Sequence, residues 1–178
     1  YPKREIIDRL ERIERIKNIQ IEKLSDKSIT VVFEEYRPAA LWCETVETEV
    51  CLFLDHTGYA FSRAPKLQGG AFLRYSDAGQ KAVLDEQVFD KEFIFRTQNF
   101  VETTYKELGL NIFQVVRSDV NEVEYYVAGG GLIKASLLVA PDDTLENLAT
   151  VLRSEEFSHL EPGNFQYIDL RFGNKVYV

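Results

Sequence analysis

Apolar positions recur at intervals of three and four at the start of the chain, where Ile6, Ile7, Leu10, Ile13 and Ile16 form a stripe among Arg, Glu and Lys. That spacing predicts an amphipathic helix over residues 2–16, with Pro2 in its first turn. The period then changes to two. Ile19 and Ile21 alternate with Gln20 and Glu22, which predicts a strand over residues 19–24, and a second strand over 29–36 follows the polar turn Ser25, Asp26, Lys27, Ser28. Arg37 and Pro38 close this block. The residue before a proline is pushed out of the helical region, and proline has no donor to give to a ladder.

Beyond Pro38 the pattern is one of short aromatic and β-branched runs, which predict strands over residues 39–43, 50–54, 59–62, 93–95, 111–117, 123–127 and 132–138. Asp55, His56, Thr57 and Gly58 read as one hairpin turn, and Gly129, Gly130 and Gly131 as another. Two helices interrupt the strands. Thr97 is placed to cap the first, which carries Phe100, Val101, Thr104, Tyr105 and Leu108 inward and ends at Gly109. Asp143 with Glu146 three residues on has the form of a capping box for the second, with Leu145, Leu148, Val151 and Leu152 inward. Strands outnumber helices and do not alternate strictly with them, so the expected class is α+β. It comprises a helix on a short sheet over residues 1–38, then a mostly antiparallel β-domain with two helices over 39–178.

The last run alternates Gln166, Ile168, Leu170 and Phe172 with Phe165, Tyr167, Asp169 and Arg171, then reaches Gly173-Asn174 and continues through Lys175, Val176, Tyr177 and Val178. A Gly-Asn pair between strands suits a two-residue turn. With such a turn Arg171 lies opposite Val176 and Leu170 opposite Tyr177, and the chain ends on an exposed sheet edge.

With 178 residues the chain is long enough to bury a core of its own, and 45% apolar, 12% aromatic and 28% charged residues are a globular mixture. The net charge of −8, with no exclusive basic stripe, argues against tight binding of nucleic acid. No apolar run reaches the roughly 18 residues that a membrane helix needs. Acidic Glu5, Asp8, Glu11 and Glu14 interleave with the basic residues of the first helix and cancel most of its attraction to anionic lipid. The opening at Tyr1 and the lack of any Met fit a segment cut from a longer protein, or a processed one.

Candidates for chemistry are few. Cys43 and Cys51 either oxidise across a hairpin or stay as two buried thiols. A zinc site of Cys43, Cys51, His56 and His159 lacks the two closely spaced ligand pairs usual for that metal, and a Cys–His nucleophile rests on residues with no supporting pattern. The three glycines at 129–131 are not followed by a helix start or a GK[ST] sequence, so a phosphate loop is a weaker reading than a hairpin. Among 29 acids, pairs such as Asp85 and Glu86 are expected by chance. No cofactor or metal is implied.

At the end of the first block, Glu34-Glu35-Tyr36-Arg37-Pro38-Ala39-Ala40-Leu41-Trp42 resembles the junction at which the POTRA domain of the bacterial division proteins FtsQ and DivIB passes into their β-domain. Cys51-Leu52-Phe53-Leu54-Asp55, Gly58 and Ala60-Phe61 are similar to the first hairpin of that β-domain. Tyr167-Ile168-Asp169-Leu170-Arg171-Phe172-Gly173-Asn174 resembles its terminal signature. These matches occur in the family's order and bracket nearly the whole chain. From about residue 66 to 140 only the pattern of elements matches.

The resemblance implies a POTRA-like domain lacking its first strand, an FtsQ-type β-domain, and a scaffold without enzymatic activity. It further implies a single membrane helix outside this segment, with these residues on the extracytoplasmic face. Partners FtsB and FtsL are expected to bind the β-domain by adding a strand to its last strand, and other division proteins to bind the POTRA domain. Physics favours the same edge, because an unpaired strand offers main-chain donors and acceptors while alternate side chains set specificity. Lys175, Val176, Tyr177 and Val178 are then the accepting strand, and Tyr167, Asp169, Arg171 and Phe172 its neighbours. Arg171 alternatively pairs with Asp169 or another acid. Phe172 stands where the family often has tyrosine, and relatives often continue beyond the position of Val178. A different reading makes the POTRA-like front part of a secretion or outer-membrane assembly apparatus.

Overall fold

The structure, a computed structural model, describes residues 1–44, 50–67 and 70–172 and the strand course of residues 175–177. Gly173, Asn174 and Val178, together with the side chains of Lys175, Val176 and Tyr177, lie outside the described residues.

Helix α1 (Lys3–Leu10) is shorter than its stripe predicts, because the chain turns tightly after Leu10. The Ile13 amide donates to the Leu10 carbonyl and that of Ile16 to Ile13. Ile16 instead begins strand β1 (Ile16–Ser25), which pairs antiparallel with β2 (Ser28–Glu35). A bulge at Asn18, which takes the positive φ of 55° that asparagine tolerates, shifts the register between Lys17 and Gln20. Within these two strands only Ile21 is buried, and α1 buries no residue fully.

All later strands join one mixed sheet. They are β3 (Ala40–Cys43), β4 (Cys51–Leu54), β5 (Tyr59–Ala64), β6 (Arg74–Asp77), β7 (Glu86–Gln87), β8 (Ile112–Asp119), β9 (Glu122–Val127), β10 (Leu132–Ser136), β11 (Tyr167–Phe172) and β12 (Lys175–Tyr177). Their order is β12-β11-β10-β9-β8-β6-β3-β4-β5-β7. Six neighbouring pairs are antiparallel and three parallel, so the protein is α+β with a large mixed sheet. Helix α2 (Lys91–Leu108) precedes β8, and α3 (Pro141–Leu152) carries the chain from β10 back to parallel β11, since a parallel partner requires a crossover.

Both later helices start earlier than their sequence signals suggest. The aromatic run at 93–95 lies in α2, because Phe93, Ile94, Thr97, Phe100 and Thr104 are spaced three and four apart and all face the core. Asp90 is the cap, accepting from the Phe93 amide at 2.8 Å. Thr97 is buried mid-helix instead, donating to the Phe93 carbonyl at 2.7 Å and meeting the Tyr75 hydroxyl at 2.8 Å. Helix α3 begins at Pro141, whose ring suits a first helical position, and Asp142 and Asp143 lie in its positive first turn. Strand β6 carries no apolar alternation to announce it. It is nevertheless central, with Tyr75 fully buried.

Strand alternation divides the core. Ala40, Trp42, Leu54, Tyr75, Val115, Tyr125, Ile133, Ile168 and Leu170 pack under α2 and α3 with Phe93, Ile94, Phe100 and Leu148. On the opposite face Leu41, Cys43, Cys51, Phe53 and Phe61 form a second cluster, against which Tyr36, Tyr59 and Phe72 pack.

The Asp55 turn joins β4 to β5 as the sequence suggests. One Asp55 carboxylate oxygen accepts from the Thr57 amide at 2.8 Å, the Thr57 hydroxyl at 2.6 Å and the Tyr59 amide at 3.2 Å. Gly58 has φ of +85°, and a Cβ there would stand 2.3 Å from the Phe89 carbonyl oxygen. Gly58→Ala is therefore expected to destabilise the fold by about 2–4 kcal/mol through forced φ and overpacking together. Urea denaturation measures it, and an unchanged midpoint would contradict this packing.

Candidate functional site

Strand β11 places Ile168 and Leu170 in the core and turns Tyr167, Asp169 and Arg171 to the opposite face, as the alternation of the terminal run predicts. Strand β12 follows antiparallel and ends the strand order. Its register differs from the expected one. Phe172 pairs with Lys175, but Tyr177 pairs with Asp169 instead of Leu170, so that Leu170 and Arg171 together stand opposite Val176. The pairing thus contains a β-bulge, which leaves one amide on the bulged strand without a ladder partner.

Asp169 supplies that partner. Its Oδ1 accepts from the Arg171 amide at 3.1 Å, and the same oxygen accepts from Arg171 Nε at 2.9 Å. Arg171 Nη2 reaches Asp169 Oδ2 at 2.6 Å, while Nη1 reaches Glu122 Oε2 on β9, also at 2.6 Å. Farther along the same face Lys134 on β10 pairs with Glu124 at 3.5 Å. The outer face of β9, β10 and β11 is therefore an ion ladder. Of the two readings of Arg171, the structure shows pairing within the chain, to two acids at once.

These bonds set the protonation behaviour. The hydrogen bond from Arg171 holds the Asp169 carboxyl below its ordinary value, outweighing burial, and the two carboxylates raise the already high pKa of Arg171 further. Tyr126, next in the outer row of β9, donates to Glu124 at 3.2 Å, and burial raises its pKa.

The remaining predicted partner-facing residues divide by exposure. Tyr167 is 39% exposed and Phe172 55%, whereas Asp169 is buried. The Arg171 guanidinium lies 5.4 Å from the centroid of the Phe172 ring. Lys175, Val176 and Tyr177 form the edge strand itself, and Val178 falls outside the described residues. Glu122 was not legible as a member of this group. It sits 49 residues from Arg171, and only the strand order β11-β10-β9 brings the two together.

Cys43 and Cys51 form a disulfide across a directly paired position of β3 and β4, with their Cα atoms 4.4 Å apart. Both are buried in the second cluster beside Leu41, Phe53 and Phe61. With the sulfurs bonded to each other, neither is a thiolate ligand or nucleophile in this state. His159 is exposed after α3, its Nδ1 3.2 Å from the Glu155 carbonyl. Among the described residues no group of three or more His, Cys, Asp or Glu is arranged to hold a metal ion. Gly129, Gly130 and Gly131 make the β9–β10 hairpin turn, against which Gly163 packs. No described helix is long and apolar enough to cross a membrane. No family model matches the chain, and no curated protein matches it significantly.

Replacing both cysteines by alanine is expected to lower stability by about 2–3 kcal/mol, the chain-entropy value for so short a loop. Equal denaturation midpoints for the variant and the oxidised protein would show that the bond constrains nothing. For Asp169, a depressed folded pKa means stability that is complete above the ordinary carboxyl value of about 4 and lost as pH falls through the lower folded value. Asp169→Asn is expected to flatten that acid limb of the stability profile, and an unaltered limb would remove Asp169 as its source.

Proposed function

We propose that the chain is the extracytoplasmic region of a cell-division scaffold of the FtsQ and DivIB kind, which recruits partners such as FtsB and FtsL by strand addition to β12. The observation that carries this reading is the position of β12. Among the described residues it ends a ten-stranded sheet beside β11, the strand that holds the Tyr-Ile-Asp-Leu-Arg-Phe sequence. A strand at that place presents a row of outward main-chain donors and acceptors.

In this reading the Asp169 and Arg171 pair shapes the edge by holding the bulge, while the exposed rings of Tyr167 and Phe172 flank the incoming strand. The front, α1 on the β1–β2 hairpin, is the POTRA-like part and meets other division proteins. A membrane helix outside these residues tethers the whole. The disulfide supports placement outside the cytoplasm, where thiols oxidise and stay oxidised.

Val176 lies between the two β12 residues that pair with β11, so its amide faces away from the sheet. Val176→Pro is expected to abolish capture of the FtsB C-terminal segment in a pull-down while shifting the thermal midpoint by no more than about 2 °C. Undiminished capture by a folded Val176→Pro variant would rule out strand addition at β12.

A further inference from the structure

The sheet has a second edge, and it is closed differently. Strand β7 is two residues long and pairs only with Tyr59 and Ala60 of β5, assisted by the Asp85 amide donating to the Ala60 carbonyl at 2.8 Å. Past Ala60, β5 runs on to Ala64 with β4 on one side and no strand on the other among the described residues. Phe61 and Ser62 are buried there, one on each face, while Arg63 is exposed and Ala64 half-buried. Along the outer side of this stretch the main-chain groups remain to be met.

One of them is met from the front of the chain. The Arg63 amide donates to Glu14 Oε2 at 3.4 Å, a contact between residues 49 positions apart. Glu14 lies in the turn between α1 and β1, and that turn is held in place. The Tyr36 amide donates to the carbonyl of the next residue, Arg15, at 2.9 Å. The Tyr36 ring stacks on Phe61 at 4.9 Å and on Tyr59 at 5.5 Å between centroids. Lys17 Nζ sits 4.5 Å from the centroid of the Tyr36 ring. The β1–β2 hairpin is thereby seated on β5 with a carboxylate turned toward the free amide.

A carboxylate accepts hydrogen bonds and donates none, so it satisfies the amide without offering a ladder that another strand can extend. Its charge adds a second obstacle, because a strand pairing there would have to bury or displace it. We propose that Glu14 is an edge guard, which occupies the outward donor of β5 and prevents β5 of a second copy of this chain from pairing there. A second copy is the fitting occupant because two β5 strands meeting antiparallel about a two-fold axis satisfy each other's main-chain groups with one surface. The contact concerns the edge opposite β12, so it stands or fails separately from the division reading.

Sedimentation over a concentration series tests it, together with hydrogen exchange at the Arg63 amide. Glu14→Ala is expected to dimerise at a concentration roughly thirtyfold below the parent protein, as loss of one hydrogen-bond equivalent in each of the two copies implies, and its Arg63 amide to exchange faster in the monomer. Glu14→Gln keeps an acceptor but loses the charge and gains a donor, so it is expected to fall between the parent and Glu14→Ala. Adding Arg63→Pro to Glu14→Ala removes the outward donor and is expected to restore the monomer, whereas adding Val176→Pro leaves the dimer unchanged. A monomeric Glu14→Ala variant, or a dimer that survives Arg63→Pro, would overturn the proposal.

Discussion

An open β-sheet must stop somewhere, and the outward donors and acceptors of its last strands have no partner within it. Every other feature of this molecule is arranged around that constraint. Helices α2 and α3 cover one face and bury the large aromatic core beneath them. Part of the opposite face is covered by the aromatic cluster and the disulfide, and part carries the ion ladder. With both faces in use, the main-chain groups of this sheet that are left for a further strand lie at the two ends of the strand order. At one end a very short strand and a carboxylate blunt the edge. At the other, β12 stands beside a bulge.

The Asp169 and Arg171 clasp sits at the bulge. A β-bulge exposes an amide, and an unpaired amide in a partly buried position costs about 1–3 kcal/mol. Asp169 meets that amide and the guanidinium of the same residue, so one carboxylate both closes the backbone and fixes the side chain. Glu122 extends the clasp to β9 and ties the edge pair to the interior of the sheet. Charge-assisted bonds of this kind are about twice as strong as neutral ones, and they are directional. The arginine is thus engaged within the chain, by two carboxylates at once.

Much of this architecture is legible in the chain itself, and the failures have identifiable causes. Period-two alternation marks β1 and β11, and short aromatic and β-branched runs mark β8, β9 and β10. The start of α2 is hidden because Phe93, Ile94 and Phe95 look like a strand when taken three at a time; the helical spacing emerges only when Thr97 and Phe100 are included. Strand β6 was illegible, since Tyr75 and Ser76 are buried by neighbours on both sides and not by any pattern of their own. At the candidate site, Tyr167, Asp169 and Arg171 were correctly assigned to one face. The bulge and Glu122 were not found, because a register shift and a partner two strands away are properties of the assembled sheet.

Register is what the bulge ultimately controls. Successive residues of a strand face opposite sides of the sheet, so a slip of one residue transfers every side chain to the wrong face. Here the two sides differ sharply at β11: Ile168 and Leu170 face the helices, while Asp169 and Arg171 face the ladder. A strand added to β12, as proposed above, would inherit that difference and be best matched when its own residues alternate apolar and polar. By setting two residues of β11 against Val176, the bulge fixes where along the edge that alternation begins. On the strand-addition reading proposed above, the clasp within β11 would govern which alternating sequence the edge accepts, although neither of its side chains belongs to the edge strand.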